Sequence, residues 1–266
     1  MQARTADGST WWADRHVDFV YQRRADGQFV EHVIEMVGER LGMVGAGDDL
    51  FVITRLGAGS RIYRIRGAEQ AQASAEGAIH AFFADAAGRL VVADDRGDWR
   101  VGEALELEAL PARGAALEGC TLADALATRG FVAACGGVAK VGSDLSAAVP
   151  VEGVAPDSIV GLAPNDLWGL QDGVLFHFDG ERVAAEVELP QTEHPVRIVP
   201  TGAGSAVVMA RDAWVATRET GCWEPVLERR LLRNVPWRDE PVVGIGPALV
   251  GWVYEFDFHE LDVAAE

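Results

Sequence analysis

Apolar residues in this chain fall into short runs separated by glycine, aspartate and asparagine. The runs are short and mostly β-favouring and are bounded by turn residues, which reads as strands rather than helices. Seven of these runs align: WWAD, FVIT, LVVA, FVAA, LWGL, VVMA and LVGW. Their second residues are Trp12, Val52, Val91, Val132, Trp168, Val208 and Val250, so successive spacings are 40, 39, 41, 36, 40 and 42 residues. Around each anchor the order is the same: an apolar strand, a turn, the anchor strand, a tight turn, a third strand, and often a fourth. Residues 158–189 show it most fully, with SIVGLAPN leading into DLWGL, a hairpin at Gln171-Asp172-Gly173, VLFHF, and a turn at Asp179-Gly180. Asp-Gly between alternating apolar runs is a strong hairpin signal, because both central residues must accept a positive φ. Similar turns are predicted at Asp26-Gly27, Gly57-Ala58-Gly59, Arg96-Gly97 and Gly136-Gly137.

A repeat of about 40 residues carrying up to four short antiparallel strands predicts an all-β fold, a single-domain β-propeller spanning residues 1–266. A parallel β-helix would repeat at a shorter interval, and a helical solenoid would show helical spacing. The one stretch of helical propensity, LADALATRG at 122–130, falls on an innermost strand of the repeat and is read as strand. Seven anchors predict seven blades, with the closing sheets incomplete or shared between the termini. Six blades is the alternative, which leaves two terminal strands outside the ring with exposed edges.

Residues 164–180, PNDLWGLQDGVLFHFDG, resemble repeats of bacterial propellers of the broad kelch and Asp-box type, and ETGCWEPV at 219–226 resembles the end of an Asp-box repeat. The latter has Ala216-Thr217-Arg218-Glu219-Thr220 where an Asp-box carries Ser-x-Asp, and TADGSTWW at 5–12 keeps Asp7 and Trp11 at a different spacing. The resemblance implies sialidase-like hydrolysis as one enzyme class. That chemistry needs an arginine cluster with a Tyr and Glu pair at the axis. Tyr21, Tyr63 and Tyr254 fall instead on outer or anchor strands, and the innermost strands supply only Arg197. A lactonase or lyase would gather oxygen ligands for a divalent cation near the axis. Asn165 and Asp124 are the nearest candidates, and Asn165-Asp166 reads as a turn stabilised by its own side chains.

Other chemistries find no motif. The six histidines, His16, His32, His80, His177, His194 and His259, lack metal-binding spacing and are read as strand or rim residues. Lys140, the only lysine, is not followed by Ser or Thr, so no Walker A loop forms. Gly244-Ile245-Gly246 runs into Pro247, which denies the helix start that a dinucleotide fingerprint requires. No Gly-x-Ser-x-Gly elbow occurs. The trio Asp94, Asp95 and Asp98 is read as a solvated turn rather than a calcium loop. Cys120, Cys135 and Cys222 cannot complete a disulfide framework, and each is read as a small buried apolar residue. No catalytic residue, metal ligand or cofactor is therefore expected.

The chain has 266 residues and a net charge of −18. This opposes phosphate neutralisation and contact with anionic membranes, and it favours a basic protein partner. No apolar run reaches the ~18 to 20 residues of a membrane span, and MQARTADGST lacks a signal-peptide core, so a cytoplasmic location is expected. The longest predicted connection is ERRLLRNVPWRDE at 228–240. Arg230, Arg233, Trp237 and Arg238 there combine guanidinium groups with a large apolar anchor, the side chains that dominate interface energetics. Glu193 and His194 on a neighbouring connection complete the expected partner-binding surface, with another protein as the partner and no nucleic acid or membrane.

Overall fold

The structure is a computed structural model that describes residues 2–13, 19–120, 122, 126–128, 130–134, 136–142, 145–152, 158–163, 165–188, 197–202, 205–209, 213–217, 223–225, 243–246, 249–254 and 257–262. It divides into two compact units, Met1–Gly153 and Val154–Glu266. The described residues of both form antiparallel sheets in simple sequential order, with no α-helix.

The first unit holds four four-stranded sheets. Sheet 1 is β1 (Gln2–Arg4), β2 (Thr10–Trp12), β3 (Phe19–Arg23) and β4 (Phe29–Val33). Sheet 2 is β5 (Glu39–Ala46), β6 (Asp49–Leu56), β7 (Gly59–Arg66) and β8 (Glu69–Ala75). Sheet 3 is β9 (Ala81–Ala84), β10 (Leu90–Asp94), β11 (Gly97–Val101) and β12 (Leu107–Ala109). Sheet 4 is β13 (Leu126–Thr128), β14 (Phe131–Ala134), β15 (Gly137–Lys140) and β16 (Val149–Val151). The second unit holds sheet 5, with β17 (Ser158–Ala163), β18 (Asp166–Gln171), β19 (Val174–Phe178) and β20 (Val183–Glu188). Sheet 6 has β21 (Arg197–Gly202), β22 (Ser205–Met209), β23 (Ala213–Thr217) and β24 (Trp223–Pro225). Sheet 7 has three strands among the described residues, β25 (Val243–Gly246), β26 (Leu249–Tyr254) and β27 (Asp257–Asp262).

Every anchor lies on the second strand of its sheet, and 126–128 is strand despite its helical propensity. Where burial is described, the anchors are apolar because both faces of the second strand are covered. In β6, Leu50 and Val52 pack with Trp11 and Val20 of sheet 1, while Phe51 and Ile53 pack with Leu90 and Val92 of sheet 3. In β10 the other parity, Val91 and Ala93, joins Phe83, Leu117, Ala139 and Leu145. The period of two thus sends successive residues to opposite neighbours, and a fully buried Val or Ile contributes about 1.5 to 3 kcal/mol. In the second unit Trp168 and Leu175 pack with Ile198 and Ala206 in the same manner. The hairpin at Asp172-Gly173 has φ of 50° and 81°, the paired positive values that an Asp-Gly turn accommodates.

Candidate functional site

The proposed partner surface, Glu193, His194, Arg230, Arg233, Trp237 and Arg238, lies outside the described residues, as does Asp124. Asn165 is exposed in the turn ahead of β18. Its neighbour Asp166 is buried, and Asp166 Oδ1 stands 2.8 Å from His177 Nε2 on β19. His177 is wholly buried and meets the Trp168 ring edge-on at 4.8 Å. His32 Nε2 lies 3.0 Å from Gln22 Oε1. Burial, with Arg24 adding to it, holds the His32 pKa below the ordinary imidazole value.

The acidic residues of the first unit hold turns and strand ends together. Asp7 Oδ1 accepts from Thr5 Oγ1 and the Ser9 N–H, and Trp11 Nε1 donates to Thr5 Oγ1 at 3.0 Å, so TADGSTWW is a self-braced turn. The Asp94 side chain is 1% exposed. It accepts hydrogen bonds from the Arg96 and Gly97 N–H groups, the Arg96 guanidinium and Trp99 Nε1. Asp98 pairs with Arg113 through two bonds of 2.7 and 2.8 Å. In the expected solvated turn at 94–98, Asp95 and Arg96 are exposed, but the Asp94 and Asp98 side chains are buried and ion-paired, because arginines near and far in sequence neutralise carboxylates that alone would stay in water. Asp85 is bound in the same way by Arg89. Among the described residues no three His, Cys, Asp or Glu side chains are grouped so as to hold a metal ion. Cys120 is buried, as expected, and it is disulfide-bonded, which the sequence reading did not anticipate.

A cleft of about 430 Å³ opens between the end of β4 and strands β7 and β8. Val33 and Glu35 form one wall, Arg64, Gln70 and Gln72 the other, and Ile65 lies in its floor. Three bonds fix the link between sheets 1 and 2 at this cleft: Gln70 Nε2 donates to the Val33 carbonyl at 3.1 Å, Tyr63 Oη accepts the Val37 N–H at 2.8 Å, and Thr54 Oγ1 donates to the Val37 carbonyl at 2.7 Å. Beside it, Phe29, Val33 and Val37 are 39%, 58% and 46% exposed, three of the five large apolar side chains so exposed among the described residues. The alternation FVEHVIEMVGE at 29–39 carried this signal, since Phe29, Glu31, Val33, Glu35, Val37 and Glu39 share one parity and all are exposed.

No family model and no curated protein sequence matches the chain. Solved structures match along nearly its whole length. Virginiamycin B lyase from Staphylococcus aureus aligns with a TM-score of 0.61 at 10% identity, covering 97% of this chain and 92% of that one. Hsv2 from Kluyvelomyces marxianus aligns at 0.57 with 10% identity, covering 98% and 90%. BBS1N, solved in complex with ARL6DN, aligns at 0.53 with 15% identity, covering 96% and 86%. All are β-propellers, and the chain has the β-propeller fold. No likeness to the kelch or Asp-box type in particular follows from them.

Proposed function

We propose that the chain is a non-catalytic, protein-binding β-propeller, a subunit or adaptor of a multiprotein complex or a neutraliser of a basic protein such as a toxin. Its sheets belong, on this reading, to one domain over residues 1–266, with seven blades matching the seven anchors. The observation that carries the binding role is the exposed alternation of apolar and acidic side chains beside the cleft, in a chain of net charge −18. Exposed apolar side chains rimmed by charge are the signature of an interaction surface. The fold itself does not choose a function, since propellers of this likeness include a lyase and a protein solved in a complex. An axial metal or sugar site serving a propeller hydrolase or lactonase is the rival reading. The buried carboxylates Asp49, Asp94, Asp98 and Asp166 weigh against it, because each is committed to a strand or turn partner.

The 228–240 connection supplies a second binding surface on this reading, with Arg230, Arg233 and Arg238 pairing carboxylates of the partner, Trp237 as apolar anchor, and Glu193 and His194 at the margin. Purifying the chain with its native partner and reconstituting the pair from separate components tests the role. Arg233→Ala with Trp237→Ala weakens the reconstituted complex at least about tenfold while leaving the thermal transition in place. A chain that reconstitutes with no protein and instead turns over a lactone or glycoside overturns the reading. Among the described residues no helix is long and apolar enough to cross a membrane. The Cys120 disulfide favours an oxidising compartment over the cytoplasm expected from the sequence.

A further inference from the structure

We propose that β4 and the adjoining cleft take up an extended, basic segment of another protein as an added strand, in which apolar residues alternate with Lys or Arg. The inference deepens the protein-binding reading and rests on it.

The first support is the main chain. β4 closes sheet 1, paired with β3 on one side and, among the described residues, with no further strand on the other. The Arg24 N–H donates to the Gln28 carbonyl at 2.9 Å, which makes that pair hydrogen-bonded. In an antiparallel ladder, hydrogen-bonded and non-hydrogen-bonded pairs alternate. With the register Val20↔His32, Tyr21↔Glu31 and Phe19↔Val33, the N–H and C=O groups of Glu31 and Val33 turn away from β3. The Val33 carbonyl does point outward, since Gln70 Nε2 of β8 reaches it. A partner backbone in extended form can therefore bond to the Glu31 N–H and C=O and to the Val33 N–H, and share the Val33 carbonyl with Gln70 through its second lone pair, the two-residue interval of strand addition.

The second support is the side chains. Phe29, Val33 and Val37 alternate with Glu31, Glu35 and Glu39, all exposed. Such a row matches a strand whose apolar residues cover Val33 and enter the cleft over Ile65 while its cations meet Glu31 and Glu35. The cation on the opposite wall, Arg64, is engaged, as its guanidinium donates to the Glu103 carbonyl. That bond to a neutral carbonyl leaves the Arg64 charge in place, but Glu31, Glu35 and Glu39 outnumber it, so the balance along the row is negative, in keeping with the −18 of the whole chain. Among the other outer strands of the first unit, β8 (EQAQASA) and β12 (LEA) expose no large apolar side chain, while β16 (VPV) exposes Val149 but has no acidic residue alternating with it.

The test uses the full chain and a labelled peptide, Lys-Val-Lys-Val-Lys-Val-Lys, followed by fluorescence anisotropy, with amide hydrogen exchange at Glu31 and Val33. The peptide binds and slows exchange at those two amides. A form N-methylated at the valines, with the same charge, binds at least about tenfold more weakly, as does the Glu-Val counterpart. Val33→Lys and, separately, Glu31→Lys each weaken binding by a similar factor with the circular dichroism spectrum unchanged, so a folding failure in one leaves the other to decide. Equal binding of the N-methylated peptide, or unaltered exchange at Glu31 and Val33, overturns the proposal. A concentration-dependent dimer that Val33→Lys dissolves also overturns it, assigning the edge to a second copy of the chain. Normal reconstitution of the native complex by Val33→Lys would remove this surface and leave the protein-binding role standing.

Discussion

Asp49 at the start of β6 and Arg66 at the end of β7 face each other in a bidentate pair, with Arg66 Nε and Nη2 donating to the two carboxylate oxygens at 2.6 and 2.7 Å. Asp166 and His177 occupy the corresponding places in sheet 5, at the start of β18 and near the end of β19. In both sheets the acid caps the open end of the hairpin formed by the second and third strands, where a slip in register would otherwise begin.

Asp49→Asn removes the ionic part of this clasp. The Arg66 side chain is 47% exposed, so the pair is partly screened. The expected loss is about 1 kcal/mol, read in a thermal melt as a fall of about 2 to 4 °C. An unchanged melt would mean that the strands alone fix the register.

Asp94 gives a pH dependence. Burial pushes its carboxyl upward, but hydrogen bonds from Trp99 and from the Arg96 main chain and guanidinium outweigh this and hold the pKa below the ordinary carboxylate value. A depressed folded-state pKa contributes stability above the unfolded value, and that stability is lost as pH falls through the folded value. The gap in unfolding free energy between the native chain and Asp94→Asn is therefore steady at neutral pH and narrows below about pH 4, as urea titrations at several pH values will measure. A gap that widens on acidification contradicts this.

Gly45 on β5 is placed where a Cβ would collide with the Arg4 carbonyl of sheet 1. The obstacle is main chain, which cannot rotate aside. Gly45→Ala is expected to cost about 1 to 3 kcal/mol through displacement of sheet 1 from sheet 2. Denaturant unfolding of the two forms measures the difference, and equal midpoints would show that the strands are free to separate.

The Cys120 disulfide leaves one thiol for three cysteines. Maleimide labelling of the denatured chain, without reductant, is expected to modify one site, and three after reduction. Three sites before reduction would remove the argument for an oxidising compartment.

The strands and their order were legible because second strands such as Leu50–Ile53 and Leu90–Ala93 are buried on both faces, which forces an apolar run that the repeat then returns at a near-constant interval. The turns were legible for a local reason, as at Asp172-Gly173. Partnerships that span distance were not. Asp98 and Arg113 lie 15 residues apart, and nothing in their local sequence marks them as a pair. The cleft was hidden for a similar reason: its walls come from separate sheets. The alternation at 29–39 also reads as an ordinary strand with one wet face until the structure shows β4 at the border of its sheet.

The most direct test of the account is the mass of the complex. The purified chain, dialysed against EDTA and mixed in equal amount with the protein that co-purifies with it, is run on a sizing column with light scattering. The account predicts a single heterocomplex of defined stoichiometry that neither EDTA nor the absence of any small molecule disrupts. Elution as two separate species, together with a catalytic activity that EDTA abolishes and a divalent cation restores, would contradict it.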